Sequence, residues 1–366
     1  MRVALVHDYL NQWGGAERVL EVLAQIFPEA DIYTLFHDPA ATRGKFSGRV
    51  AKTSFLDQPF IHKNHRWFIP LMPMAAEVLR IPDKYDLIIS ATAGFAKGVS
   101  APRGAKHLSY CHTPLRYAWE PDYIKSKYQF LSSKFSSSFL KIILSYLRSW
   151  DLEASRKPDM TIANSGFIAE KIKRYYGLSA SVLYPPVDTA FWSYDPKTKR
   201  GDYFLAVGRF LHYKKFDLII KAFNKLQMPL KIAGNGPEEK FLMSLAADFP
   251  IEFVGNPADA ELRGLYRGAR ALIFPQVEDF GMVAAEALAC GAPVVAYAEG
   301  GALEIVEDGE TGVLFYEQTP EALAAAIKLA EQKRWKRNAI AASAERFSLD
   351  RFQQGIMEAV SRLASS

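Results

Sequence analysis

The chain is poor in cysteine, with two in 366 residues, Cys111 and Cys290. Both lie in apolar segments, LSYC and ALAC. That placement reads as buried thiols in a reducing compartment rather than as a disulfide framework. No window of eighteen uninterrupted apolar residues occurs, so no membrane-spanning helix is expected. The first apolar run, VALV, is closed by His7 and Asp8 and is too short for a secretory signal. A cytoplasmic protein is therefore expected. Low-complexity tracts and internal repeats are also missing, which excludes solenoids and disordered arrays. The net charge of +5 is small and no recognised module accompanies it, so no nucleic-acid partner is expected.

What is present is ordinary globular material, 49% hydrophobic and 23% charged, enough for two cores. The charge is divided unevenly. Residues 1–185 carry 24 Lys and Arg against 16 Asp and Glu, whereas residues 186–366 carry 21 against 24. A basic first half suits an anionic neighbour, such as phospholipid or a phosphate-bearing acceptor. Chance surface composition explains it equally well.

Short apolar runs alternate with amphipathic stretches. VALV (3–6), DIYTLF (31–36), DLIIS (86–90), HLSYC (107–111), MTIAN (160–164) and SVLYP (181–185) form one series of expected strands. DYFLAV (202–207), LKIAG (230–234), IEFVG (251–255), ALIFP (271–275), PVVAY (293–297) and GVLFY (312–316) form a second. Helices are expected near 215–226, 237–246, 259–268, 282–290 and 320–331, with a last amphipathic one at 349–363. The class is α/β, with two doubly wound parallel sheets. The Pro-rich segment 184–201 separates them, giving domains 1–186 and 187–347. Two segments, 59–80 and 124–150, break the alternation by mixing Lys and Arg with aromatics. They read as packed helical insertions or as a surface for lipid headgroups.

In such sheets ligands bind beyond the carboxyl ends of the strands. After the first strand, Gly14-Gly15 opens a helix, a place for a turn or for a phosphate. After HLSYC come His112, Arg116 and Tyr117. After DYFLAV come Arg209 and Lys214, five residues apart, which can converge on a diphosphate. Gly234 begins a GNG that lacks the third glycine of a dinucleotide fingerprint, and GGAER does not supply one earlier, which disfavours a dehydrogenase. After ALIF the chain reads PQVEDFGMVAAEALACG. Gly281 permits a tight turn, residues Phe280, Gly281, Met282 and Val283 bring backbone amides to a helix start, and Glu278 and Glu286 flank it. Carboxylates beside a phosphate site make sense as acceptors from sugar hydroxyls on either side of a diphosphate.

Taken in order, GGAER, CHTPLRYAWE, GRFLHYKK, AGNGP and the E-x7-E of Glu278 and Glu286 resemble the retaining glycosyltransferases of family 4, over about residues 2–360. The resemblance implies a GT-B fold, two Rossmann-like domains facing a central cleft, with residues 348–366 packing back on the first domain. It implies that Glu286 binds the donor ribose and Glu278 the hexose hydroxyls. It assigns Arg209 and Lys214 to the diphosphate, Gly14 and Gly15 to the phosphate and reaction centre, and His112 to the hexose edge. Arg116 and Tyr117 fall on the acceptor side. No Asp-X-Asp motif is present, in keeping with a metal-independent member of the family, and no cofactor is expected beyond the nucleotide-sugar substrate. CHTPLRYAWE and YKKFDL most resemble the GDP-mannose-dependent mannosyltransferases of bacterial O-antigen and exopolysaccharide synthesis. Many members have Lys-Gly where this chain has Lys214-Lys215. The expected partners are a nucleotide sugar and a glycan or lipid-linked acceptor, with peripheral contact at an anionic inner membrane. A UDP-sugar-dependent transferase, or an epimerase on the same fold, is the alternative.

Overall fold

The computed structural model describes residues 1–120, 137–246 and 250–365. Residues 124–136 of the second basic-aromatic segment lie outside the described residues. The described chain divides into two compact units, Met1–Tyr184 with Phe352–Ser366, and Pro185–Arg351.

The first unit is built on a seven-stranded parallel sheet of order β3-β2-β1-β4-β5-β6-β7. Its strands are β1 Val3–His7, β2 Asp31–Thr34, β3 Val50–Thr53, β4 Leu87–Thr92, β5 Lys106–Cys111, β6 Met160–Ala163 and β7 Ser181–Val182. The central strands are covered on both faces, which is why they read as continuous apolar runs. β3 escapes that signal. It is an edge strand, VAKT, with two exposed central residues, and nothing in its composition demands burial. The helix Gly15–Ile26 turns Val19, Leu20 and Leu23 onto the sheet. Arg49, just before β3, closes that helix. Its guanidinium donates to the carbonyls of Ala24 (2.7 Å), Phe27 (2.9 Å) and Ala30 (2.8 Å), a cation at the negative end of the helix. The last helix, Leu349–Ala364, contributes Phe352, Ile356, Val360 and Leu363 to this same core. At Gly355 it lies so close to Leu183 that a Cβ would stand 2.5 Å from it.

The insertion at 59–80 forms a continuous helical stretch: Pro59–Asn64, a 3-10 segment His65–Leu71, and Met72–Glu77. It packs with the helix Ser137–Ala154 around Leu56, Ile69, Met72, Leu147 and Trp150. Both cysteines are buried and neither is in a disulfide; burial pushes the Cys290 thiol up to about 12 and keeps it inert.

The second unit holds a six-stranded parallel sheet of order β10-β9-β8-β11-β12-β13. The strands are β8 Phe204–Val207, β9 Leu230–Ala233, β10 Ile251–Gly255, β11 Leu272–Phe274, β12 Val294–Tyr297 and β13 Gly312–Phe315. The helices Phe216–Leu226 and Pro320–Gln332 meet over one face through Ile219, Phe223, Leu323 and Ile327. The helix Met282–Ala289 is buried from Ala284 onward, and its run of alanines lets it fit inside the unit.

Candidate active site

In each sheet the chain reverses its direction of growth at one place, and the loops leaving the two flanking strands diverge there to leave a crevice. In the first unit this point lies between β1 and β4, in the second between β8 and β11.

The first unit fills its crevice with its own carboxylate. Asp8, directly after β1, accepts from the amides of Ala93 (2.6 Å), Phe95 (2.8 Å) and Ala96 (2.6 Å) and from Thr92 Oγ1 (3.1 Å). A row of backbone donors that could hold a phosphate is thus satisfied from within. Sequence reading passed over Asp8, because its partners lie more than eighty residues away. Gly14 and Gly15 remain at the start of the helix that follows β1. Gly14 is its N-cap, and a Cβ there would meet Glu17 Oε2 at 3.1 Å. Glu17 is buried, 3.8 Å from His7 and 3.3 Å from Gln12.

His112 follows β5. Its amide donates to Thr92 O (2.8 Å), and its ring stands edge-on to Tyr110 at 5.3 Å. Arg116 lies 3.9 Å from Glu120, which also accepts from Lys171 (2.6 Å); Tyr117 is partly buried against the insertion. The segment is anchored at Trp119, which stacks on Tyr175 at 4.9 Å and donates from Nε1 to Asp151 (2.7 Å).

In the second unit the loops after β8 and β11 meet through side chains. Lys214 Nζ donates to Glu278 Oε1, and both side chains are about four-fifths covered. The topology accounts for this meeting of residues sixty-four apart, since β8 and β11 are neighbours. Arg209 is exposed on the same loop as Lys214. The third loop is drawn in by glycine. At Gly234 (φ +143) a Cβ would stand 1.9 Å from Gly208 O, and at Gly236 2.6 Å from Phe210 O. The GNG therefore serves a backbone-to-backbone contact that supports the Arg209 loop.

Gly281, at φ +111, caps the helix Met282–Ala289. Its first amides, at Met282 and Val283, have no acceptor within the helix. The Phe280 side chain is a core anchor, edge-on to Phe347 at 5.3 Å, so only its backbone is available to a ligand. Beneath this turn lies a device that sequence reading missed. Gly300-Gly301 packs on residues 278–280, the Gly301 amide donates to Glu278 O (2.9 Å), and a Cβ on Gly301 would stand 2.1 Å from Phe280 O. Glu286 is buried, with the Tyr266 hydroxyl donating to it at 3.4 Å. Among the described residues, no three or more His, Cys, Asp or Glu side chains are grouped to hold a metal ion.

Lys215 sits at φ 58°, ψ 32°, the left-handed region where a side chain is strained. Lys215→Gly is expected to raise the unfolding free energy by about 1 kcal/mol, measured in urea, and to leave Lys214 in place. A loss of stability would contradict this account of the turn.

Two family models match the chain, "Glycosyltransferase Family 4" over residues 13–191 and "Glycosyl transferases group 1" over residues 192–347. The first curated relatives align over a third to a half of their own length. D-inositol 3-phosphate glycosyltransferase of Frankia alni is 36% identical over 184 residues, 42% of this chain and 45% of that protein. Mannosylfructose-phosphate synthase of Agrobacterium fabrum is 25% identical over 84% of this chain and 78% of that protein. The crystal structure of Anabaena Alr3699/HepE in complex with UDP superposes with a TM-score of 0.72 at 20% identity, covering 99% of this chain and all of that one. With both halves matched in order and the two doubly wound sheets in place, the chain is a glycosyltransferase of the family 4 type, with the GT-B fold.

Proposed function

We propose that this glycosyltransferase moves a hexose, with retention, from a nucleoside diphosphate onto a hydroxyl of a glycan or lipid-linked acceptor. Mannose from GDP-mannose is the donor we favour, and bacterial surface polysaccharide the product. The observation that carries the reading is the meeting of Lys214 and Glu278 at the second sheet's switch point, beside the amides of the Gly281-capped helix. In the first sheet the corresponding amides are already taken by Asp8, which supports the second unit as the donor site.

In this mechanism the bond from the anomeric carbon to the leaving phosphate oxygen breaks, and that oxygen keeps the electron pair. Arg209, Lys214 and the helix amides meet the new charge without a metal ion. The acceptor oxygen bonds the same carbon on the same face, and its proton passes to the departing phosphate oxygen. Glu278 and Glu286 then accept from hexose and ribose hydroxyls and neither serves as a base. An acceptor carried on lipid would bring the enzyme to the cytoplasmic face of an anionic membrane.

Thermal-shift measurements with GDP, UDP, ADP and their sugars test the donor. A ligand that binds only the native state at about 100 times its Kd adds about 2.7 kcal/mol of stability. GDP and GDP-mannose are expected to raise Tm. A shift with UDP alone would replace the donor and leave the transferase reading in place; no shift with any nucleotide would overturn both.

A further inference from the structure

The first unit buries an acid that the proposed mechanism does not use. Glu17, the third residue of the helix Gly15–Ile26, is 2% exposed, and His7, the last residue of β1, is 3% exposed. Glu17 Oε1 lies 3.8 Å from His7 Nε2, the spacing of an ion pair rather than of a hydrogen bond, and accepts from Gln12 Nε2 at 3.3 Å. Glu17 Oε2 and His7 Nδ1 are fully enclosed and have no hydrogen-bond partner among the described residues. Burial raises the Glu17 carboxyl, but the His7 ring, its own amide and Gln12 outweigh that and hold it below the usual carboxylate range. A charged oxygen is thus kept from water with nothing bonded to it. Buried polar atoms in folded proteins are nearly all partnered, and a leucine of similar volume would occupy this place at less cost.

The neighbours of the carboxylate show what it holds. On one side is the Gly14 turn, where a Cβ would stand 3.1 Å from Oε2. On the other is His7, whose ring stands edge-on to that of His112 at 6.5 Å. His112 follows β5, and its amide donates to Thr92 O at the end of β4 (2.8 Å). β1 and β5 lie on either side of β4. Glu17 therefore joins the carboxyl ends of β1 and β5 around β4, the edge at which such a sheet receives ligands. Its side chain is out of a ligand's reach, so it acts through Gly14 and the two histidines.

We propose that Glu17 is a positioning residue for sugar transfer: its carboxylate fixes the Gly14-Gly15 turn and, through His7, the His112 ring at the reacting end of the first sheet. This rests on the transferase reading for the step it serves. Its test has an arm that needs no nucleotide sugar, so the two fail separately.

The first arm is turnover of the full chain, read as nucleoside diphosphate released to water from the nucleotide sugar that raises Tm most. Glu17→Leu is expected to lower kcat about 10²-fold, the cost of misplacing a reacting group by about 1 Å. Donor KM is expected to change less than about threefold, and Tm to hold or rise, because a buried charge has been replaced by a side chain that packs. A residue that only held the fold would lose Tm and keep its turnover. Glu17→Gln keeps the shape and the bond from Gln12 and is expected to return kcat to within about fivefold of wild type. Gly14→Ala is the independent variant. The backbone there is extended, at φ −151° and ψ −162°, so the added methyl acts on Oε2 and is expected to lower kcat about 10-fold. The second arm is the histidine ring NMR spectrum without ligand, assigned with His7→Gln and His112→Gln. Glu17→Leu is expected to move the His7 and His112 signals and to leave that of His212, in the second unit, in place. Wild-type kcat in Glu17→Leu would overturn the proposal, as would an unmoved His112 signal or a loss of turnover matched by a loss of Tm. A wild type that turns over no nucleotide sugar would overturn the transferase reading instead, and the ring spectrum would still decide whether Glu17 holds His112.

Discussion

Arg209→Ala and Lys214→Ala are each expected to lower kcat by about 10²–10³-fold, with a much smaller change in donor KM. The leaving diphosphate gains charge as the bond to the sugar breaks, and under the proposed mechanism these two cations and the helix amides are what meet it. A unit charge pair about 4 Å apart is worth about 4 kcal/mol at an effective dielectric of about 20, and only the part that appears in the transition state speeds the reaction. Lys214 has a further constraint. Its ammonium is held by Glu278 in the structure, so a diphosphate must compete with that carboxylate for it. The two side chains are about four-fifths covered, so the attraction is less screened than in an exposed pair but is offset by the cost of desolvating both charges. Glu278→Gln is then expected to bind the nucleoside diphosphate about two- to fivefold more tightly while transferring sugar more slowly, since the hexose loses its acceptor. Glu286→Ala is the contrast, raising donor KM with kcat nearly kept. Steady-state kinetics with the purified variants decides it. Near-normal turnover in both cation variants would remove Arg209 and Lys214 from the chemistry.

The parallel strands were legible because burial on both faces forces apolar runs, and the loops after them were legible because strand ends are where α/β sheets hold ligands. That is why Arg209, Lys214, Glu278 and Gly281 could be placed at strand ends without a structure; what the structure adds is the contact of Lys214 with Glu278. The pairing of Lys214 with Glu278 was not legible, since it depends on strand order, and the order β8-β11 is invisible in a linear chain. The same limit hid Asp8, which looks like the end of an apolar run and proves to bind the amides of Ala93, Phe95 and Ala96. Phe280 and Gly234 illustrate a different limit. Sequence could place them beside a ligand, but only packing reveals that Phe280 is held in a core and that Gly234 is small to admit the Gly208 carbonyl. The insertion at 59–80 was readable as a packed helical insertion or as a surface for lipid headgroups, yet which of its apolar residues are buried needed the structure.

Asp151→Ala is expected to cost about 3–5 kcal/mol, a large part of the roughly 5–15 kcal/mol that holds a domain folded. Asp151 is fully buried, and its carboxylate accepts from Lys97 Nζ (2.5 Å), Trp119 Nε1 (2.7 Å) and the Tyr176 hydroxyl (2.7 Å). Burial and the neighbouring carboxylate hold that hydroxyl protonated, well above the usual tyrosine range, so it is always a donor. Lys97 is 3% exposed and, apart from Asp151, donates to Gly94 O. Removing the carboxylate strands a buried ammonium and two buried donors at once. The pair itself need not be strongly favourable, because taking both charges from water offsets most of their attraction. The distinction is testable. Lys97→Met/Asp151→Asn removes both charges and leaves an amide oxygen for Trp119 or Tyr176, so it is expected to lie well above Asp151→Ala in stability. Trp119→Phe keeps the stacking on Tyr175, loses one hydrogen bond, and is expected to cost about 1 kcal/mol. Urea unfolding of the three variants decides it, and a loss below about 1 kcal/mol in Asp151→Ala would show that water reaches Lys97. Because Trp119 closes the segment that begins at His112, the same variants bear on acceptor use. If Asp151 fixes that segment, Trp119→Phe raises acceptor KM more than donor KM, a split that a general loss of stability does not produce.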